Sequence, residues 1–197
     1  MNSAIALPAA ERRTARRTIL LLLTLSLLPI AIGAGLYLSG WHPAKGGNHG
    51  ELIQPPRPLP AAGLTREDGT PLPTSELGGK WTLVLAGDGA CGDACTRSLQ
   101  QMRQIQVALN KEMGRVRRLA LVKDPSEAGV AGARAAQPDL LVARPDAAWR
   151  ATLGTAPEHR LYLIDPLGQL MMQYAPNANP KGVQQDLERL LKYSWVG

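Results

Sequence analysis

An uninterrupted apolar run near the amino terminus is the feature that most constrains how this chain can fold. Residues 18–39 contain no charged side chain, and about 20 apolar residues are what a helix needs to cross a bilayer. Four arginines within residues 12–17 directly precede the run, and clusters of this kind stay on the cytoplasmic side of a membrane. We therefore predict a single-pass anchor over residues 18–40, with residues 1–17 in the cytoplasm.

A cleaved signal peptide is the alternative interpretation of this run, because small residues occur at positions 31–35. The apolar core of a signal peptide is usually shorter, about 7–15 residues, so a retained anchor is favoured. In either case the rest of the chain is exported. We expect it to lie in the periplasm of a bacterium, held at the inner membrane.

The length and charge of the remainder limit what it can be. After the anchor, a stretch rich in glycine and proline over residues 41–60 is predicted to be a tether, and its two histidines, His42 and His49, are interpreted as solvated. Residues 61–197 are enough for one ordinary domain. The net charge is +6, half of it carried by residues 1–17. Without a basic stripe interleaved with aromatic side chains, a nucleic acid partner is not expected.

Strand and helix patterns alternate along this domain. An apolar run predicts a buried strand at 81–86, and an apolar stripe recurring at steps of three and four predicts a helix that ends at Gly114. Further elements are predicted as a hairpin at 64–72, a strand at 116–122, a loop or weak helix at 123–138, a strand at 140–143, a helix at 146–153, a hairpin at 161–174 and a helix from about Pro180. Such an order predicts a mixed sheet with helices on both faces.

The chain has only two cysteines, Cys91 and Cys95, and they fall where the first buried strand gives way to the helix. Thiols at such a junction can bind a soft metal ion, exchange electrons as a dithiol or form a permanent disulfide. Cys95 belongs to the apolar stripe and is expected to be buried, whereas Cys91 is expected to be the more exposed, attacking thiol. Because a bridge across so short a loop restrains the unfolded chain little, metal or redox chemistry is favoured over an inert disulfide.

The anchor, the C-x3-C spacing at a helix start and the later hairpin sequence Tyr162-Leu163-Ile164-Asp165-Pro166-Leu167-Gly168 together resemble the Sco/SenC proteins. These are membrane-tethered, thioredoxin-fold proteins that help to assemble cytochrome c oxidase. The resemblance implies a thioredoxin-like domain, one bound copper ion, and a cytochrome oxidase subunit or its assembly factors as partner. It also implies that Cys91, Cys95 and His159 are the copper ligands.

The sequence departs from the pattern of that family at three places. The family usually has proline after each cysteine, where this chain has Gly92 and Thr96. Its histidine usually stands five residues before the hairpin tyrosine, a position held here by Pro157, whereas His159 is three residues before Tyr162.

Three functions are consistent with these features. The first is a copper-handling assembly factor for a respiratory oxidase. The second, and the only enzyme among them, is a thiol-disulfide oxidoreductase that acts on oxidase subunit cysteines, with Cys91 and Cys95 as its catalytic residues. The third is a scaffold without catalytic activity in which the two cysteines form a permanent disulfide. Two further soft side chains, Met171 and Met172, are expected to pack in the core instead of binding copper.

Overall fold

A computed structural model describes residues 9–40 and 47–194 of the chain. The chain divides after residue 46 into two compact units, each of which is described by itself. The first unit consists of helix α1 (Ala9–Leu38). Its segment Ala15–Leu38, with a mean hydropathy of 2.4, is the one helix in the described ranges that is long and apolar enough to cross a membrane. The predicted apolar helix at the amino terminus is thereby confirmed.

The second unit is built on one seven-stranded sheet. Its strands are β1 (Glu51–Pro58), β2 (Leu64–Arg66), β3 (Trp81–Ala86), β4 (Val116–Leu121), β5 (Leu140–Pro145), β6 (Arg160–Ile164) and β7 (Gln169–Gln173). Across the sheet they lie in the order β1-β7-β6-β3-β4-β5-β2. The central strands β3, β4 and β5 are parallel, whereas the outer pairings are antiparallel. The predicted mixed sheet is therefore confirmed.

Helices cover both faces of this sheet. They are α2 (Asp93–Ala108), α3 (Ala128–Ala136), α4 (Ala147–Leu153) and α5 (Pro180–Tyr193). Because side chains alternate along a strand, Leu83 and Leu85 of β3 pack with α2, α3 and α5, while Val84 and Ala86 pack with α4 on the opposite face. The face that carries α2 is the one that positions the cysteines.

The termini of α4 and α5 follow directly from the sequence. The carboxylate of Asp146 accepts a hydrogen bond of 2.9 Å from the backbone N–H of Trp149, which caps the start of α4. Gly154, at φ 65°, ends that helix in the left-handed conformation, which glycine adopts without strain. The side chain of Asn179 caps the start of α5, because its oxygen accepts a hydrogen bond from the backbone N–H of Lys181. Trp149 of α4 is fully buried.

The predicted tether over residues 41–60 is wrong in its second half. Residues 51–58 form β1, an edge strand that pairs with β7. Proline, which has no N–H to donate, is compatible with an edge strand because one side of the strand makes no ladder bonds. A proline-rich strand lacks the apolar alternation by which strands are recognised, so composition alone indicated a loop.

The residues just before β1 are bonded to the domain. Asp186 of α5 is buried, and its carboxylate accepts hydrogen bonds of 2.9 Å from the backbone N–H groups of His49 and Gly50. The Nδ1 atom of His49 lies 3.2 Å from the same carboxylate. The side chain of His49 is exposed, as predicted, but it is also bonded to the domain, whereas His42 lies outside the described residues.

Arg118 is a charged residue within β4. Its side chain is fully buried. Its guanidinium donates to Gln106 at 2.6 Å, to Asp139 at 2.7 Å and to Gln137. A buried charge needs partners of this kind, and here they come from two separate parts of the chain, α2 and the segment before β5.

Two smaller expectations concern α2 and the methionines. Helix α2 ends at Ala108, and a 3-10 turn over Asn110–Arg115 replaces its predicted last turn. Met172 is buried in the core and Met171 packs against it, as expected for packing residues.

Candidate functional site

The two cysteines lie at the start of α2 and are joined by a disulfide bond. Cys91 belongs to the turn that follows β3, and Cys95 lies in the first turn of α2. Their Cα atoms are 5.0 Å apart. The exposed fraction is 7% for Cys91 and 3% for Cys95. Cys95 is buried as predicted, but the expectation of an exposed Cys91 is wrong for this disulfide form of the protein.

Cys91 is buried because the start of α3 covers its turn. The backbone N–H of Cys91 donates a hydrogen bond to the carboxylate of Glu127, the residue that precedes α3. A β-carbon added to Gly129 would lie 2.9 Å from the carbonyl oxygen of Cys91 and 2.5 Å from Oγ1 of Thr96. The two segments are therefore in direct contact, and glycine at position 129 allows this approach.

His159 immediately precedes β6 and faces the same side of the sheet as the cysteines. Leu161 pairs with Leu85 of β3, and both belong to the core beneath α2; His159, two residues earlier, points to the same face. The His159 ring lies against Gly87, whose added β-carbon would be 2.8 Å from the ring carbon Cγ. The absence of a side chain at Gly87 thus creates the space for the ring.

One ring nitrogen of His159 has no hydrogen-bond partner. Its Nε2 atom is buried and has no hydrogen-bond partner among the described residues. Burial lowers the pKa of His159 below its ordinary value, and the carboxylates of Glu127 and Asp88 partly oppose this shift. The ring is consequently neutral at neutral pH, which is the form of histidine that binds metal ions.

A cleft of about 620 Å³ joins two of the three predicted site residues, Cys95 and His159. The start of α2, the segment before β6 and residues 176–180 line it, and Cys95 and His159 both belong to its wall. Cys91 does not line this cleft. The structure thus places Cys95 and His159 at one opening and Cys91 behind Cys95, against α3.

Three residues of this region were missed in the sequence. The negative charges of Asp88 and Glu127 act on the His159 ring, and Gly87 gives the ring its space. Glycines that follow a strand indicated only a turn, and nothing in the local pattern around Glu127 indicated contact with Cys91. Gly129 was the available signal, because a glycine inside a helix often marks a close packing contact.

The disulfide form does not contain a formed metal site. Among residues 9–40 and 47–194, no group of three or more His, Cys, Asp or Glu side chains is arranged to hold a metal ion, and both sulfurs are used in the disulfide. Reduction of the pair yields two thiols, and that of Cys95 then shares the cleft with the neutral imidazole of His159. That donor set suits copper, and the unpartnered Nε2 of His159 fits such a ligand role, whereas zinc needs a fourth ligand.

Comparison with known proteins identifies the family of this domain. The family model described as "Transmembrane-like, thioredoxin-like, C-terminal domain" matches residues 81–194, which is more than half of the chain. The chain belongs to that family. No curated protein matches the sequence.

Solved Sco proteins share the fold of the chain. Apo Sco1 from Thermus thermophilus is 22% identical, with a TM-score of 0.60, covering 75% of this chain and 99% of that protein. Copper-bound yeast Sco1 is 19% identical, with a TM-score of 0.56 and coverage of 71% and 91%. BsSco, an oxidase assembly protein of the Sco family with an identified disulfide switch, is 16% identical, with a TM-score of 0.52 and coverage of 73% and 100%. The resemblance to Sco/SenC proteins is confirmed, and at these identities it concerns the fold.

Proposed function

We propose that this chain is a membrane-anchored, copper-handling assembly factor for a respiratory cytochrome oxidase. The observation that carries the proposal is the buried, unpartnered Nε2 of His159, which belongs to a residue that shares a cleft with Cys95. An unpaired buried nitrogen is uncommon in proteins and calls for an explanation. A metal ion held jointly with the cysteines provides one.

Copper is the cargo in this proposal and binds only to the reduced protein. A dithiol reductant gives two electrons and two protons to the Cys91–Cys95 disulfide and is itself oxidised to a disulfide, and loss of protons from the two thiols formed gives the thiolates that bind the ion. His159 supplies a neutral nitrogen, and the charges of Asp88 and Glu127 favour positive charge at its ring. The solved copper-bound form of yeast Sco1 supports the choice of metal.

A thiol-disulfide oxidoreductase is a second candidate function, favoured by a different observation. The pair is a disulfide at the start of a helix, an arrangement suited to exchange, and BsSco has an identified disulfide switch. In this function the reduced pair gives two electrons and two protons to a disulfide of an oxidase subunit. The partner's bond breaks and the Cys91–Cys95 bond forms.

The proposed location follows from the anchor and from the chemistry of the pair. The four arginines at the amino-terminal end of α1, before its apolar segment, favour a cytoplasmic amino terminus, and the domain then lies in the bacterial periplasm. Disulfides persist in that compartment. The proposed partner is a cytochrome oxidase subunit or another of its assembly factors.

Copper loading of the reduced, full-length protein in detergent distinguishes these functions. The protein is reduced with a thiol-free reagent, freed of it without air, and incubated with Cu(I), and the retained copper is measured. We expect one ion per chain, lost in Cys91→Ala and weakened in His159→Gln. His49→Gln, a histidine outside the cleft, is the matched control and should retain the ion.

Two other outcomes would reject copper handling. A protein that retains no copper while its cysteine pair cycles reversibly between dithiol and disulfide is an oxidoreductase. A pair that resists mild reductants and binds no copper after full reduction leaves only the scaffold function.

A further inference from the structure

The two cysteines are held in place by different parts of the protein. Cys95 is fixed by the hydrogen bonds and packing of α2. Cys91 precedes that helix, and the local bond in its turn, from the N–H of Gly92 to the carbonyl of Ala90 at 3.0 Å, does not involve its own backbone. The position of Cys91 relative to Cys95 therefore depends on what contacts its turn from outside.

Two separate contacts with the start of α3 hold the turn that contains Cys91. The carboxylate of Glu127 accepts the hydrogen bond of the Cys91 N–H, and hydrogen bonds to an ionised acceptor are roughly twice as strong as neutral ones. Gly129 brings the helix backbone against the carbonyl of Cys91 and the side chain of Thr96. One contact is polar and the other is steric, so they can be disturbed independently.

We propose that Glu127 and Gly129 form a clamp that holds Cys91 beside Cys95 and thereby favours the disulfide over the dithiol. A thiol held next to its partner has a high effective concentration, because little chain entropy is left to lose when the bond closes. Glu127 acts here as a positioning residue. The inference deepens the proposed function, since it concerns the regulation of the cysteine pair that takes up copper.

The equilibrium that the clamp controls is an exchange with a dithiol reductant. Dithiothreitol gives two electrons and two protons to the protein. The Cys91–Cys95 bond breaks, and a disulfide forms in the reductant. Weakening the clamp lowers the effective concentration of the Cys91 thiol, so the same ratio of reduced to oxidised dithiothreitol should leave more of the protein as dithiol.

The test measures this equilibrium in the full-length protein in detergent, without copper. The protein is equilibrated at neutral pH with mixtures of reduced and oxidised dithiothreitol, and free thiols are counted by alkylation and mass spectrometry. We expect Glu127→Ala to shift the equilibrium about tenfold toward the dithiol, which corresponds to about 30 mV. Glu127→Gln, whose amide oxygen still accepts the bond, should shift it less. Gly129→Ala should shift it in the same direction as Glu127→Ala.

Two matched variants separate the clamp from general effects. Gly132→Ala adds the same methyl group to α3 where it meets nothing within 4 Å, and Glu158→Gln removes a carboxylate that lines the cleft. Both should keep the wild-type equilibrium. Amide exchange at Cys91 gives a second measurement: it should be faster in Glu127→Ala than in Glu127→Gln.

The clamp is rejected if Glu127→Ala and Gly129→Ala stay within twofold of the wild type, or if the two control variants shift the equilibrium equally. Because copper is absent from this measurement, such a result leaves the copper-loading experiment as a separate test. Loss of copper binding with an intact clamp would reject the proposed function alone.

Discussion

Gly87 lies directly against the imidazole ring of His159. A β-carbon at Gly87 would fall 2.8 Å from Cγ and 2.9 Å from Cδ2 of the ring, closer than unbonded carbon atoms can approach. The orientation of His159 in the cleft is thus determined as much by the missing side chain of Gly87 as by its own position before β6.

Replacing Gly87 should therefore displace the ring. In Gly87→Ala we expect the NMR resonances of His159 to shift and the affinity of the reduced protein for Cu(I) to fall about tenfold or more. Gly92→Ala, in the same cysteine-containing segment, adds a methyl group to open space and should leave both properties nearly unchanged. If Gly87→Ala binds copper as tightly as the wild type, the ring position does not matter for the metal.

Reducing the disulfide should cost the domain little stability. The bond links residues four apart in sequence, and closing so short a loop stabilises a protein by about 2 kcal/mol in the chain-entropy account. Urea unfolding of the full chain with and without a thiol-free reductant measures the difference. A loss above about 4 kcal/mol in the free energy of unfolding would show that the disulfide is needed for the stability of the domain, and would favour the scaffold function.

Removing the carboxylate of Asp186 should free the segment that precedes β1. Asp186→Ala leaves the N–H groups of His49 and Gly50 and the buried hydroxyl of Tyr174 without this acceptor, and an unpaired buried donor costs about 1–3 kcal/mol. We expect a loss of roughly that size in the free energy of unfolding, with faster amide exchange at His49 and Gly50. Glu188→Ala, on the exposed side of the same helix, should change neither, and equal losses in the two variants would contradict this role.

The pH dependence of stability should contain a contribution from His159. Burial lowers the pKa of this residue in the folded state, so the unfolded chain binds the proton more tightly. The stabilisation is complete above the unfolded pKa of about 6.5 and is lost as the pH falls through the lower folded pKa. Urea unfolding at pH 7.5 and 5.0 should show a smaller loss in His159→Gln than in the wild type. An identical loss in both proteins would contradict the assignment.

The elements that were predicted correctly are those with a strong local signal. All six residues of Trp81–Ala86 are buried, and an unbroken apolar run of that length indicates a central strand. The stripe that includes Cys95, Leu99 and Met102 marked α2 for a similar reason, since every third or fourth residue faces the core. The hairpin of β6 and β7 was recognisable from its turn chemistry.

The features that were missed depend on contacts between distant segments. Nothing near Glu127 in the sequence indicates a bond to Cys91, which lies 36 residues earlier. The burial of Arg118 also depends on such contacts, because only the fold brings Gln106, Gln137 and Asp139 to it. The site was therefore predictable as a set of residue types, but the packing that orients them was not.

Strand β1 has a consequence for how copies of this protein behave together. It forms one edge of the sheet and contains three prolines, Pro55, Pro56 and Pro58. An edge strand with a regular row of free N–H groups is a template onto which another chain can add its own strand, whereas proline interrupts that row. The sheets of neighbouring copies therefore do not pair readily through this edge. At high local concentration, β1 should not be the strand from which aggregation starts.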